Sequence, residues 1–190
     1  MPMGNPPITS FSLTDKVALV TGGASGIGAG IATVLAEADA TVVVADIDQE
    51  RAEKQVAALT EAGHSAWAIH IDLADEDSIV RGCAEVVSRY GTPWVLVNNA
   101  GLQDRQLLLE GTAAEWDRMN QVNGRGPFLM TREIARAMVA AGQGGRIVNV
   151  ASAALVGSII KGLASYVGSK GALFGLSRAS ALEQIGRAHV

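Results

Sequence analysis

Tyr166 and Lys170 stand four residues apart in a stretch that reads as a helix, so their side chains share one face. A phenol, with a reference pKa of about 10, is a poor proton donor and acceptor at pH 7. A neighbouring ammonium favours the phenolate, which makes such a pair a candidate general acid/base. Near the start of the chain, Thr21-Gly22-Gly23-Ala24-Ser25-Gly26-Ile27-Gly28 follows an apolar run. Glycines in such a turn adopt positive φ cheaply and let the backbone approach a phosphate, whose charge is favoured at the N-terminus of the next helix. Asp46 ends the following apolar run, 18 residues after Gly28. An acid at that distance suits the ribose 2′-hydroxyl of NAD and repels the 2′-phosphate of NADP. Each feature alone has a plain reading: a helix face, a strand-to-helix turn, a solvated strand end. Together they point to a dinucleotide site that prefers NAD.

The elements that must position these residues alternate along the chain. Apolar, β-branched runs at 17–20, 41–45, 66–71, 94–97 and 146–150 predict five strands. Between them lie helical stretches: the glycine loop to 38, then 49–62, 75–90 with Asp75 as N-cap, and 112–141; a last one covers 166–185. The strand runs lack polar alternation, so both sheet faces are expected to be covered. Right-handed crossovers then give an α/β fold, a doubly wound parallel sheet. Ligands of such sheets bind beyond the carboxyl ends of the strands, here just after Val20, Ala45, Ile71, Val97 and Val150.

Composition excludes several classes. With 48% hydrophobic and 18% charged residues, the 190-residue chain is too apolar for disorder and long enough for one sizeable core. Its 15 Lys+Arg against 19 Asp+Glu, a net charge of −4 with no basic run, leave no footprint for nucleic acid. No apolar run approaches the roughly 20 residues of a membrane span, and no signal peptide is legible. One cysteine, Cys83, rules out a disulfide framework within the chain and fits a reducing, cytoplasmic setting; on its amphipathic helix it reads as a small buried hydrophobe. His64 and His70 lack partners at metal-ligand spacing, so no metal is expected. Trp67, Trp94 and Trp116 read as core or interface aromatics.

The wording of the motifs goes further than their spacing. The loop's Thr-Gly-x-x-x-Gly-x-Gly, Asn98-Asn99-Ala100-Gly101 after the fourth strand, Ser152 after the fifth, and Tyr166-Val167-Gly168-Ser169-Lys170 follow one another in order. This series resembles the short-chain dehydrogenase/reductase family, over about residues 13–183. The resemblance implies a Rossmann fold and an NAD(P)-dependent oxidoreductase that transfers a hydride between the coenzyme and a secondary alcohol or carbonyl. It makes Tyr166 the acid/base, Lys170 its tuner and a ribose ligand, Ser152 a hydrogen-bond donor to the substrate oxygen, and Asn123 the holder of a proton-relaying water. Gly22, Ser25, Gly26, Ile27, Gly28, Asp46, Asp72, Asn98, Ala100 and Gly101, with Tyr166 and Lys170, become coenzyme-binding positions, Asp72 at the adenine. The substrate implied is a small alcohol or carbonyl compound: a sugar or polyol, a 3-oxoacyl thioester or a steroid-like ketone. A homodimer or homotetramer built on the fourth and fifth helices is implied too, with Ala135, Ala137, Ala140 and Ala141 allowing close approach.

Two departures bear on these expectations. Ser152 lies fourteen residues before Tyr166, one more than the family usually shows, which leaves Ser152 and Ser158 both open as the substrate-facing hydroxyl. Only five strands are legible where the family has more, which marks the chain as C-terminally truncated. Its last residues, Ile185-Gly186-Arg187-Ala188-His189-Val190, match the translation of a sequencing-adapter frame, ATC-GGA-AGA-GCA-CAC-GTC. Residues 1–12 are therefore expected as a flexible arm, 13–183 as the dinucleotide-binding domain and 184–190 as a non-native tail. A non-catalytic dinucleotide sensor and an inactive fragment of a longer enzyme are the alternatives in function.

Overall fold

The computed structural model describes residues 11–157 and 159–183. Five parallel strands form one sheet: β1 (Val17–Thr21), β2 (Thr41–Asp46), β3 (Ala66–His70), β4 (Val95–Asn98) and β5 (Arg146–Asn149). Their order is β3-β2-β1-β4-β5. Six helices connect or follow them: α1 (Gly26–Glu37), α2 (Gln49–Glu61), α3 (Glu76–Tyr90), α4 (Ala113–Asn120), α5 (Gly126–Ala140) and α6 (Ala164–Glu183). The strand order reverses between β1 and β4, and a crevice opens at their carboxyl ends.

Solid apolar runs arise because the inner strands β1, β2 and β4 each feed two cores. Successive side chains point to opposite faces. On β1, Leu19 joins Val43, Leu96, Ile79 and Ile134 under α3 and α5, while Ala18 and Val20 join Val42, Val44 and Ala32 under α1 and α2. Each fully buried Val or Leu contributes about 1.5–3 kcal/mol relative to exposure. Cover on both faces holds for the inner strands only. Trp67 on β3 and Val148 on β5, the bounding strands among the described residues, are each 48% exposed.

The helix starts follow local chemistry. Asp48 and Asp75 cap α2 and α3 by accepting from the N–H groups of Arg51 and Asp77, and Thr112 forms a capping box with Glu115 at α4. The start of α1 differs: its N-cap Ser25 makes no side-chain cap and its first turn carries no acid.

The single long helix expected over 112–141 is broken. Between α4 and α5 lies a π turn, Gln121–Arg125, in which the N–H of Gly126 donates to the carbonyl of Gln121. The cause sits just beyond it. Pro127 has no N–H and cannot donate to the carbonyl four residues back, that of Asn123. The wider turn absorbs the mismatch, and such turns recur at functional sites. No described helix is long and apolar enough to cross a membrane. The expected arm up to residue 10, Ser158 and the tail 184–190 lie outside the described residues.

Candidate active site

A cavity of about 620 Å³ occupies the crevice. It is lined by Gly22, Ser25, Gly26 and Ile27 of the glycine loop, by Asp46 and Asp72, and by Asn99, Ala100, Gly101, Leu102, Arg118 and Val122. All but Arg118 and Val122 belong to strand ends, the loops that leave them or the start of α1.

The glycine loop is braced on all sides. Gly22 has φ +62°, and a Cβ there would lie 2.8 Å from the Cα of Ala100. Gly26 has φ +53° and opens into free space. Gly28 lies behind the loop, where a Cβ would overlap the main-chain oxygen of Gly22, so only glycine lets α1 dock this close. The Thr21 hydroxyl donates to the Val97 carbonyl (3.2 Å) and accepts from the N–H groups of Asn99 (3.1 Å) and Ala100 (3.2 Å). The Asn99 amide donates to the carbonyls of Thr21 and Gly22 at 3.0 and 3.2 Å. The carboxylate of Asp46 accepts from the N–H groups of Ala24 (3.2 Å) and Asp48 (3.1 Å). Asp72 accepts from the Ala74 N–H at 2.8 Å.

Asn98 does not line the cavity. It is 1% exposed, and its amide donates to the Thr131 hydroxyl (3.1 Å) and to Asn149 (2.8 Å), tying β4 to α5 and β5. Asn99, named in the motif but not as a site residue, holds the wall position instead. Strand parity explains the exchange, since neighbouring residues face opposite ways.

Two residues of the expected catalytic set, Asn123 and Lys170, meet at Gly101. A Cβ on Gly101 would lie 3.1 Å from Asn123 Oδ1 and 3.3 Å from Lys170 Nζ. Lys170 is 4% exposed, and its ammonium donates to the Val150 carbonyl at 2.8 Å, pinning α6 to the end of β5. Burial holds its pKa below the ordinary lysine value. Tyr166 lies in the first turn of α6, half-buried, one turn before Lys170, and Ser152 follows β5. The Ser152 hydroxyl accepts from the Ala154 N–H at 3.2 Å, capping a short 3₁₀ turn, Ala153–Leu155.

Asn123 is fully buried in the π turn. Its amide accepts from the Leu102 N–H (2.7 Å) and donates to the Leu102 carbonyl (2.8 Å) and the Ser169 hydroxyl (3.0 Å). That side chain has no hydrogen left for a water. Its main-chain oxygen is one that Pro127, lacking an N–H, cannot satisfy. Ser169 in turn donates to the Tyr166 carbonyl at 2.8 Å. Sequence reasoning passed over Ser169, Leu102, Arg118 and Val122, although Pro127 inside a helical pattern was a legible warning of a break.

Other reactive groups play no part. Cys83 is 3% exposed beside Met130, and burial pushes its thiol pKa up to about 12, leaving it inert at neutral pH. No cluster of three or more His, Cys, Asp or Glu side chains fit to hold a metal exists among the described residues.

The fit to a dinucleotide rests on these local facts. The uncapped, acid-free start of α1 faces the cavity through Gly26 and Ile27, and Gly26, at φ +53° with open space beside it, leaves the backbone bare for a phosphate to approach.

Known proteins resemble the chain in sequence and fold. The chain is 39% identical over 174 residues to sorbitol dehydrogenase of Cereibacter sphaeroides, covering 91% of this chain and 66% of the relative. It is 37% identical over 173 residues to an NAD-dependent glycerol dehydrogenase of Listeria innocua serovar 6a, with coverages of 91% and 66%. The chain thus spans just under two-thirds of the length of these two relatives. A crystal structure of a metagenomic short-chain oxidoreductase in complex with NADP superposes with a TM-score of 0.86 at 36% identity, covering 92% of this chain and 79% of that one. The family pattern described as short chain dehydrogenase matches residues 16–188. The chain belongs to the short-chain dehydrogenase family.

Proposed function

We propose that the protein oxidises a secondary alcohol to a carbonyl, or the reverse, on a polyol or sugar-like substrate, with NAD as the preferred coenzyme. The convergence of Lys170 and Asn123 on Gly101 at the cavity wall carries this reading. The sorbitol and glycerol dehydrogenases among the relatives support the substrate class.

When bound, the coenzyme accepts or supplies the hydride. The chain's own residues handle the oxygen. In the oxidation direction, the Tyr166 phenolate takes the hydroxyl proton while the hydride leaves carbon, and the Ser152 hydroxyl donates to the substrate oxygen. The Lys170 ammonium favours negative charge on the phenol one turn away. A water at the Asn123 main-chain oxygen connects Lys170 to solvent. Asp46 accepts from the ribose hydroxyls of the adenosine half, Asp72 contacts the adenine, and the start of α1 receives the pyrophosphate. A 2′-phosphate would meet the Asp46 carboxylate, which supports NAD over NADP, although the metagenomic neighbour holds NADP.

A second copy of the chain is the proposed partner. The outward faces of α5 and α6 expose Phe128, Val139 and Phe174 at 46–49%, and sedimentation equilibrium reads the resulting dimer or tetramer. Ala135 is buried in the core rather than free for this contact.

The test is turnover. Polyols are incubated with NAD and with NADP, and reduced nicotinamide is followed by absorbance. Tyr166→Phe lowers kcat by roughly 10²–10⁴ while NADH binding persists. Undiminished turnover in that variant, or no NADH binding by the native chain, overturns the proposal.

A further inference from the structure

Charge around the cavity is unevenly placed. Asp46 and Asp72 put two carboxylates on its wall, and Arg118 is the one Lys or Arg among its lining residues. That guanidinium is already engaged, with its Nη1 3.3 Å from Oδ2 of Asp104 in the loop after β4. Lys170 stands behind Gly101, committed to the Val150 carbonyl. The lining thus carries two carboxylates against one guanidinium. A dinucleotide brings two phosphate charges, against which the start of α1 offers about half a positive charge.

The Arg118–Asp104 pair is built to exchange. The two side chains are 61% and 50% exposed, and exposed pairs of this kind contribute only about 0–1 kcal/mol. Arg118 sits one helical turn before Val122 on the same wall of the cavity. A planar guanidinium matches phosphate oxygens as well as it does carboxylate.

We infer that Arg118 is a phosphate ligand of the coenzyme, held on Asp104 while the cavity is empty and released to the pyrophosphate when it fills. Asp104 is then a competitor for the guanidinium, not a support for binding. This rests on the dinucleotide reading proposed above.

The competition gives the two partners of one ion pair opposite effects. NADH affinity is measured by fluorescence titration, and adenosine affinity by its competition with NADH. Arg118→Gln weakens NADH binding about tenfold, the scale of one charge-assisted phosphate contact, and leaves adenosine unchanged. Asp104→Asn tightens NADH binding up to about fivefold, the scale of an exposed pair. Native binding also falls more steeply with added salt than that of Arg118→Gln. An Arg118→Gln chain with native NADH affinity, an equal loss for adenosine, or weaker NADH binding by Asp104→Asn overturns the inference. Should Arg118→Gln not fold, the Asp104→Asn result decides it alone. A native chain that binds no NADH instead overturns the functional reading itself.

Discussion

The side chain of Asn123 closes a two-bond ring with the main chain of Leu102, accepting from its N–H at 2.7 Å and donating to its carbonyl at 2.8 Å. The ring ties the π turn between α4 and α5 to the loop leaving β4, and so fixes Gly101 against Lys170. A leucine at 123 leaves the part-buried N–H and carbonyl of Leu102 and the buried Ser169 hydroxyl without this partner, a loss of about 1–3 kcal/mol for each group kept from water. Asn123→Leu is therefore expected to lower stability by about 3 kcal/mol in urea unfolding. A loss below 0.5 kcal/mol, on the scale of a surface change, contradicts the bracing role.

Gly28 tests the fit between α1 and the glycine turn. A methyl there overlaps the Gly22 carbonyl, so the helix must shift off the sheet. Gly28→Ala is expected to cost about 1–3 kcal/mol and to abolish measurable NADH binding. Native affinity in that variant contradicts the packing described for the loop.

Lys170 predicts a pH dependence of stability. Its pKa is held below the ordinary lysine value of about 10.4 by burial. Below the lowered value both folded and unfolded chains hold the proton, and the burial penalty is fully present. Between the two values the unfolded chain holds more protons, so this group makes stability rise with pH. Lys170→Met removes that rise along with turnover. Urea midpoints across the alkaline range check it, and parallel profiles for the two proteins contradict it.

Asp46 governs the coenzyme choice. Asp46→Asn keeps an oxygen for the Ala24 or Asp48 N–H while removing the charge that faces a 2′-phosphate. The ratio of kcat/KM for NAD over NADP is expected to fall at least about tenfold, equivalent to about 1.4 kcal/mol. An unchanged ratio assigns the discrimination to other residues.

Much of this was legible before any coordinates. The glycine turn, Asp46, Asp72 and the Tyr166–Lys170 pair lie where strand ends and helix periodicity put them, because both depend on local backbone chemistry. Asn98 and Asn99 were indistinguishable in sequence, since which of the two faces the crevice depends on the register of β4. The role of the Asn123 side chain was hidden for a similar reason: its partner is the main chain of Leu102, 21 residues away. The break at the π turn was announced by Pro127, yet strong helical periodicity on both sides masked it. Arg118 reads as an ordinary helix-surface cation until the loop carrying Asp104 is in place.

A structure of the chain crystallised with NADH bears most directly on the whole account. It is expected to place the adenosine half between Asp46 and Asp72, the phosphates at Gly26 and Ile27, and the nicotinamide ring facing the hydroxyl of residue 166. Coenzyme lodged anywhere else, or a ring turned away from that hydroxyl, contradicts it.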